Sequence, residues 1–171
     1  MPSDIPDISR LALPGLFEIA AEAVLIEFRQ DLIEAGYGDV RPTHGCVFRF
    51  VREDGMRLTE LARLAGMTKQ SIGEIVDDLA ALGYVKRIPD PADKRAKLIC
   101  LTEKGEQAQR VGYGLFGQIE RRWADRYGAD RVAALRDLLE EIATTEAPDL
   151  VPELSRSARE SLDADPEPAA A

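Results

Sequence analysis

Apolar residues recur at helical spacing along most of the chain, and the points where that rhythm stops divide it into elements. Leu16, Ile19, Ala23, Phe28 and Leu32, with Ala20 and Val24 beside them, predict a long first helix that Gly36 and Gly38 end. The stretch before it carries Pro2 and Pro6 and has little period, which predicts an irregular arm over residues 1–14. Pro42 suits the first turn of a second helix bearing Val47, Phe48 and Val51, and Asp54-Gly55 marks the turn after it.

The segment from Met56 to Thr102 changes rhythm most often. Leu58, Leu61, Ala62 and Ala65 make one short apolar stripe, opened by polar Thr59 and Glu60 and broken by Gly66. Thr68 can cap a second helix, with Ser71 in its first turn and Ile72, Ile75, Val76, Leu79 and Leu82 as its buried face. Gly83 stands where a left-handed residue closes a helix. Tyr84 to Ile88 predicts a strand, Pro89-Asp90-Pro91 a turn that cannot be helical, and Lys97 to Leu101 a returning strand. Thr102 is placed to cap the next helix.

That helix carries Val111, Leu115, Ile119 and Trp123 at spacings of four. After Gly128, Val132, Leu135, Leu139 and Ile142 follow at three, four and three, a heptad-like seam that can serve a partner helix or the chain's own core. From Glu146 onward Pro, Ala, Ser and acids dominate, which predicts a disordered acidic tail over residues 146–171 that adds little to the core.

Composition bounds the function. The length of 171 residues suits one domain, and 45% hydrophobic residues suffice for a core. Cys46 and Cys100 stand far apart without a metal-ligand spacing, so neither a disulfide framework nor a metal is expected, and both thiols read as buried and inert. No basic run followed by an apolar one opens the chain, and no apolar stretch approaches the ~20 residues that span a bilayer. The expectation is a cytoplasmic protein with no membrane partner. No Gly-rich phosphate loop, no nucleophilic triad and one lone histidine argue against an enzyme or a cofactor.

The net charge of −9 argues at first against nucleic acid. Its distribution argues otherwise. Between Tyr84 and Lys97 five basic residues (Lys86, Arg87, Lys94, Arg95 and Lys97) face only Asp90 and Asp93, a local balance of +3. Helix, glycine turn, helix, strand, charged loop, strand is the order of a helix-turn-helix followed by a wing. The second helix keeps its apolar face for the core, which leaves Lys69, Gln70, Ser71, Gly73 and Glu74 outward at its start, beside the cap Thr68. Gln70 can bond adenine in bidentate fashion, Lys69 and Ser71 can reach phosphate or base edges, and Gly73 would let the helix approach closely. Glu74 can accept from a cytosine amine, whereas Asp77 and Asp78 should lie outside the groove. On the helix alone, a solvated amphipathic face explains these residues as well. The basic loop decides the reading: Arg95 at its tip suits a narrow minor groove, and Asp93 shapes the turn.

The runs Leu58-Thr59-Glu60-Leu61-Ala62, Met67-Thr68-Lys69-Gln70-Ser71, Leu79 to Val85, Asp90 to Lys97 and Leu101-Thr102-Glu103-Lys104-Gly105 resemble the MarR family of bacterial winged helix-turn-helix regulators. The D-x-R-x-K wing and the L-T-x-x-G exit are the most specific parts. The resemblance covers roughly Leu16 to Thr145. It implies a mainly α fold with a small β-hairpin: a domain over residues 15–145, a winged helix-turn-helix at 56–102, and dimerisation helices at 15–36 and 103–145. It further implies a homodimeric repressor on a pseudo-palindromic operator in double-stranded DNA, released by a small aromatic or anionic effector.

Two features depart from that pattern. Gly112, Gly114 and Gly117 interrupt the helix after the wing, allowing close helix contact at a dimer interface, a bend, or mere tolerance. Redox-sensing members use a cysteine near the first helix, which neither Cys46 nor Cys100 matches. For the effector, Tyr37, Arg41, His44 and Phe48 combine an aromatic, a cation and a histidine; alternatively, His44 simply packs the helix start. The competing function is a winged-helix module that binds protein instead of DNA, which should present apolar anchors where this chain has a basic wing and a polar helix start.

Overall fold

The computed structural model describes residues 10–151 and 160–162. Helix α1 (Leu13–Glu34) starts slightly earlier than the periodicity predicts, because Pro14 is accommodated in its first turn, where no amide donor is needed. The irregular arm therefore stops short of Leu13, and residues 1–9 of it lie outside the described residues. A 3₁₀ turn (Pro42–His44) runs into the short α2 (Gly45–Phe50), and Gly55 at φ 86° turns the chain into a two-residue strand, β1 (Met56–Arg57). Helices α3 (Leu58–Leu64) and α4 (Lys69–Ala81) flank Gly66, at φ 63°. Strands β2 (Val85–Pro89) and β3 (Lys97–Leu101) form the hairpin, and α5 (Glu103–Tyr127) and α6 (Ala129–Glu146) complete the body.

The fold is mainly helical with a small antiparallel sheet in the order β1-β3-β2. The hairpin pairs Val85 with Leu101 and Pro89 with Lys97. Strand β1, which two residues give no alternation to reveal, pairs Met56 with Ile99 on the outer edge of β3. The caps lie where the sequence places them: the Thr68 hydroxyl accepts from the Ser71 amide, and that of Thr102 from the Gly105 amide. One core joins these parts. Leu61 of α3, Ile72, Val76 and Leu79 of α4, Val85 of β2, Ile99 of β3 and Ala108 of α5 are all buried with Val47, Met56 and Tyr84. Tyr84 closes it, donating its hydroxyl to Asp39 at 2.7 Å while the Lys104 ammonium lies 4.0 Å from the ring centre.

Helices α1 and α6 and the part of α5 beyond Ala108 stand apart from this core. Arg122 of α5 ties to Glu27 (2.6 Å) and Asp31 (2.5 Å) of α1, and Phe28 stacks on Phe116 with ring centres 4.1 Å apart. A Cβ at Gly112 would lie 3.6 Å from the Phe28 ring, an ordinary contact. Gly117 faces the described C-terminal turn, where a methyl would overlap the Leu162 carbonyl. Gly117 thus serves a contact within the chain, and Gly112 has room for a methyl. Two described parts of the acidic tail touch the body as well: Leu150 reaches the wall of a cavity open to the surface, and Ser161-Leu162 lies over Gly114 and Gly117. The rest of the tail lies outside the described residues. The heptad-like seam is not part of the chain's own core. Leu135, Leu139 and Ile142 are each at least 40% exposed, as are Phe17, Ile19 and Ile26 of α1.

Candidate nucleic-acid interface

The start of α4 and the β2–β3 hairpin form one polar surface. Thr68 is spent largely on the cap, its hydroxyl 2.8 Å from that of Ser71. Lys69 and Gln70 are exposed, and the Gln70 amide donates to Glu74 one turn on at 3.2 Å. Glu74 thus holds Gln70 folded along the helix, and a base contact must replace that bond. Gly73 departs from the expectation. It turns toward α3, where a Cβ would lie 3.9 Å from Leu58, so its absent side chain concerns the helix crossing more than the groove. Gln70→Ala should therefore relax preference at one base step by about 1–3 kcal/mol, measured as competition between single-base operator variants. Glu74→Ala should leave that preference intact, and an equal loss of selectivity in both would count against Gln70 as the reader.

The two acids that the sequence places outside the groove are each tied down. Asp77 pairs with Arg87 of β2 at 2.6 Å, so one of the five basic residues of the hairpin region spends its charge on α4. Asp78 pairs with Arg41 and, at 2.7 Å, with His44. Among the described residues, no ion pair involves Lys86, Lys94, Arg95 or Lys97, all exposed. These four are the cations left for a phosphate backbone.

The wing tip is built by two aspartates. Asp93 accepts from the Arg95 amide at 3.0 Å, shaping the loop through its backbone. Asp90, only 5% exposed, accepts from the Ala92 amide at 2.8 Å and clamps Arg57 of β1 through Nε at 2.7 Å and Nη2 at 2.5 Å. The sequence reading missed this clamp. Asp90 stands between two prolines and reads as a turn residue, and its partner is 33 positions away. The Ala92 amide first, and then Arg57, hold the Asp90 carboxyl below its usual range. Because folding lowers this pKa, the carboxylate's contribution to the wing is complete above the ordinary aspartate value of about 3.9 and is lost as pH falls through the lower folded value. A carbon-detected titration should place the Asp90 midpoint below ~3.9, with Arg57→Ala moving it upward; a midpoint at or above the ordinary value would contradict the clamp.

Behind this surface a cavity of about 660 Å³ lies between α1, the 3₁₀–α2 segment, the end of α3 and α5. Phe28, Phe48, Phe50, Tyr113 and Phe116 supply aromatic walls, and Arg29, Arg41 and Arg49 supply cations. Burial pushes the Tyr113 hydroxyl up, so it stays a neutral donor. Of the four residues expected around an effector, Arg41 and Phe48 line this cavity. Tyr37 packs against the core of the winged domain, and His44 is fully buried behind the wall. The His44 Nδ1 accepts from the Arg41 amide at 3.1 Å, and its Nε2 lies 2.7 Å from the Asp78 carboxylate and 3.3 Å from the Arg41 Nε. Its role is to brace α4 against the 3₁₀ turn. Cys46 also lines the cavity and Cys100 is buried under Gly55; burial raises both thiols, so neither is an activated nucleophile.

A sequence profile of the MarR family matches residues 39–96, from the turn after α1 to the tip of the wing. Over these residues the chain is similar to the MarR family. It is 31% identical over 84 residues to the multiple antibiotic resistance protein MarR of Escherichia coli strain K12, a match covering 48% of this chain and 58% of that protein. The chain spans about half the length of the curated relatives it matches. Likeness to solved MarR-type structures runs further. A MarR-family transcriptional regulator from Rhodococcus sp. RHA1 superposes with a TM-score of 0.61 at 25% identity, covering 77% of this chain and 95% of that one. CouR of Rhodococcus jostii RHA1, bound to p-coumaroyl-CoA, does so with a TM-score of 0.59 at 26% identity, covering 76% and 90%. The MarR-type winged helix therefore accounts for the helix-turn-helix and hairpin described above. No described helix is long and apolar enough to cross a membrane.

Proposed function

We propose that the protein is a sequence-specific DNA-binding transcriptional regulator, acting as a homodimeric repressor that a small aromatic acid releases. The observation that carries this reading is the cationic wing, Lys94, Arg95 and Lys97, without an ion pair among the described residues and standing beside a capped helix start that exposes Lys69 and Gln70. In a chain of net charge −9, a cationic edge of this kind suits phosphate, and the absence of apolar anchors there disfavours a protein partner. The exposed apolar residues of α1 and α6 support a dimer, since surfaces of that kind on an isolated chain call for a cover. The aromatic cavity with its three arginines supports an anionic aromatic effector, and CouR holds such a molecule, p-coumaroyl-CoA.

Two-fold symmetry sets the expected operator: half-sites about 34–36 Å apart, each read by one α4 in the major groove. Selection from random duplexes by the purified protein should return a pseudo-palindrome with that spacing, and sedimentation should give a dimer. Recovery of no symmetric motif, with binding that depends on salt alone, would refute the sequence-specific dimer.

A further inference from the structure

Arg41 stands in two places at once. It lines the cavity, and its guanidinium reaches Asp78 in the last turn of α4. We propose that this arginine is shared between effector and recognition helix: a carboxylate bound in the cavity draws the Arg41 guanidinium away from Asp78, and the loss of that pairing lowers affinity for DNA. The inference rests on the regulator reading above and assigns the residue through which the cavity acts on the helix.

The local build favours such an exchange. The Arg41 backbone is held in extended form, as its place before Pro42 requires, and its amide is bonded to His44. The side chain is 59% exposed at the cavity's edge, its Nη2 on Asp78 and its Nε 3.3 Å from the His44 Nε2. Asp78 thus accepts from two unlike partners. His44 is fully buried and fixed; Arg41 is long, exposed and carries a planar fork of donors that can engage a second carboxylate by side-chain rotation alone. When Arg41 leaves, His44 still satisfies Asp78, so the helix need not unfold.

Charge changes more than shape. Glu74, Asp77 and Asp78 follow one another along α4, and only Asp77 has a cation from the wing, Arg87. Arg41 is the cation for Asp78. Moving its charge onto a ligand leaves the far end of that helix face more negative, which weakens the long-range attraction to DNA. The coupling is necessarily mutual: DNA, by favouring the paired state, must weaken the acid by the same factor. An exposed ion pair of this kind supports a coupling of about two- to fivefold per subunit.

The test uses the full chain with 4-hydroxybenzoate and its uncharged counterpart 4-hydroxybenzamide as probes, on a duplex recovered by the selection above. Calorimetry reads probe binding, and fluorescence anisotropy reads DNA affinity. Wild-type protein should prefer the acid, and the acid should weaken DNA binding. Asp78→Asn keeps an acceptor for His44. It should bind the acid at least as tightly, bind DNA at least as tightly without it, and lose most of the response to it. Arg41→Gln, at an exposed position, should lose the preference for acid over amide while its unfolding curve stays unchanged. An Asp78→Asn protein that binds the acid and releases DNA as fully as wild type would overturn the proposal while leaving the cavity as an effector site. Failure of the acid to bind wild-type protein would overturn the effector reading and this proposal together.

Discussion

Replacing Gly105 by alanine is expected to destabilise the protein by about 2 kcal/mol or more, even though alanine is the better helix former by about 1 kcal/mol. The reason lies in how α5 leaves the wing. Thr102 donates its backbone amide to the Tyr84 carbonyl at 2.9 Å and its hydroxyl to the Gly83 carbonyl at 2.7 Å, which draws the first turn of α5 directly over the start of β2. A Cβ on Gly105 would overlap the Tyr84 carbonyl and press on Leu101 at 3.3 Å. Backbone cannot rotate away as a side-chain end can, so β2 or α5 must shift, and Tyr84 belongs to the core. Gly112→Ala, seven residues along the same helix, is the matched control. Its methyl would meet only the Phe28 ring at 3.6 Å, an ordinary contact, so the helix-propensity gain should dominate. Urea unfolding of the two variants should therefore move in opposite directions; a neutral Gly105→Ala would disprove the close crossing of α5 on β2.

Arg95→Ala is expected to weaken operator binding by about tenfold or more per wing, and hence by roughly a hundredfold for a dimer with two wings, with no loss of stability. Arg95 is exposed, has no ion pair among the described residues, and its loop is held by backbone bonds to Asp93 and Asp90, which the substitution leaves in place. Arg87→Ala offers the contrast. That residue has the same charge and lies in the same hairpin, but it is committed to Asp77. Its loss should cost less DNA affinity per charge removed and should lower stability slightly instead. Anisotropy titrations across a salt series separate the two, because removing a phosphate contact also lowers the salt slope by about one. Equal affinity losses from both arginines would show that the wing acts by bulk charge and that Arg95 has no special place in it.

The local elements were legible because their signals are local. Thr68, Gly83 and Thr102 were readable as helix ends because a cap needs only the amides of the next turn, and the hairpin followed from apolar strands around Pro89-Asp90-Pro91. Other features escaped because their partners are remote in sequence. Strand β1 has two residues and exists only because β3 lies beside it, and the Arg57–Asp90 clamp follows from that pairing. Gly73 looked like an open approach to a groove because periodicity sorts a helix into faces; its actual neighbour, Leu58, is set by how α3 crosses α4. His44 and Tyr37 were grouped with Arg41 and Phe48 by nearness in sequence, yet the 3₁₀ turn sends His44 behind the cavity wall and toward α4.

The sequence by itself determined the order of the helices and the two hairpin strands, the winged helix-turn-helix and the basic character of its wing. Each of these depends on spacing and composition within about twenty residues, where backbone geometry converts sequence directly into direction. Only the tertiary structure decided which of those charges are free. Arg87 and Arg41 read as cations like any other until α4 brings Asp77 and Asp78 against them, while Lys94, Arg95 and Lys97 keep theirs because the hairpin carries them away from the body. An ion pair is a matter of a few ångströms, and residues far apart in the chain reach that distance only once the core has set the helices in place.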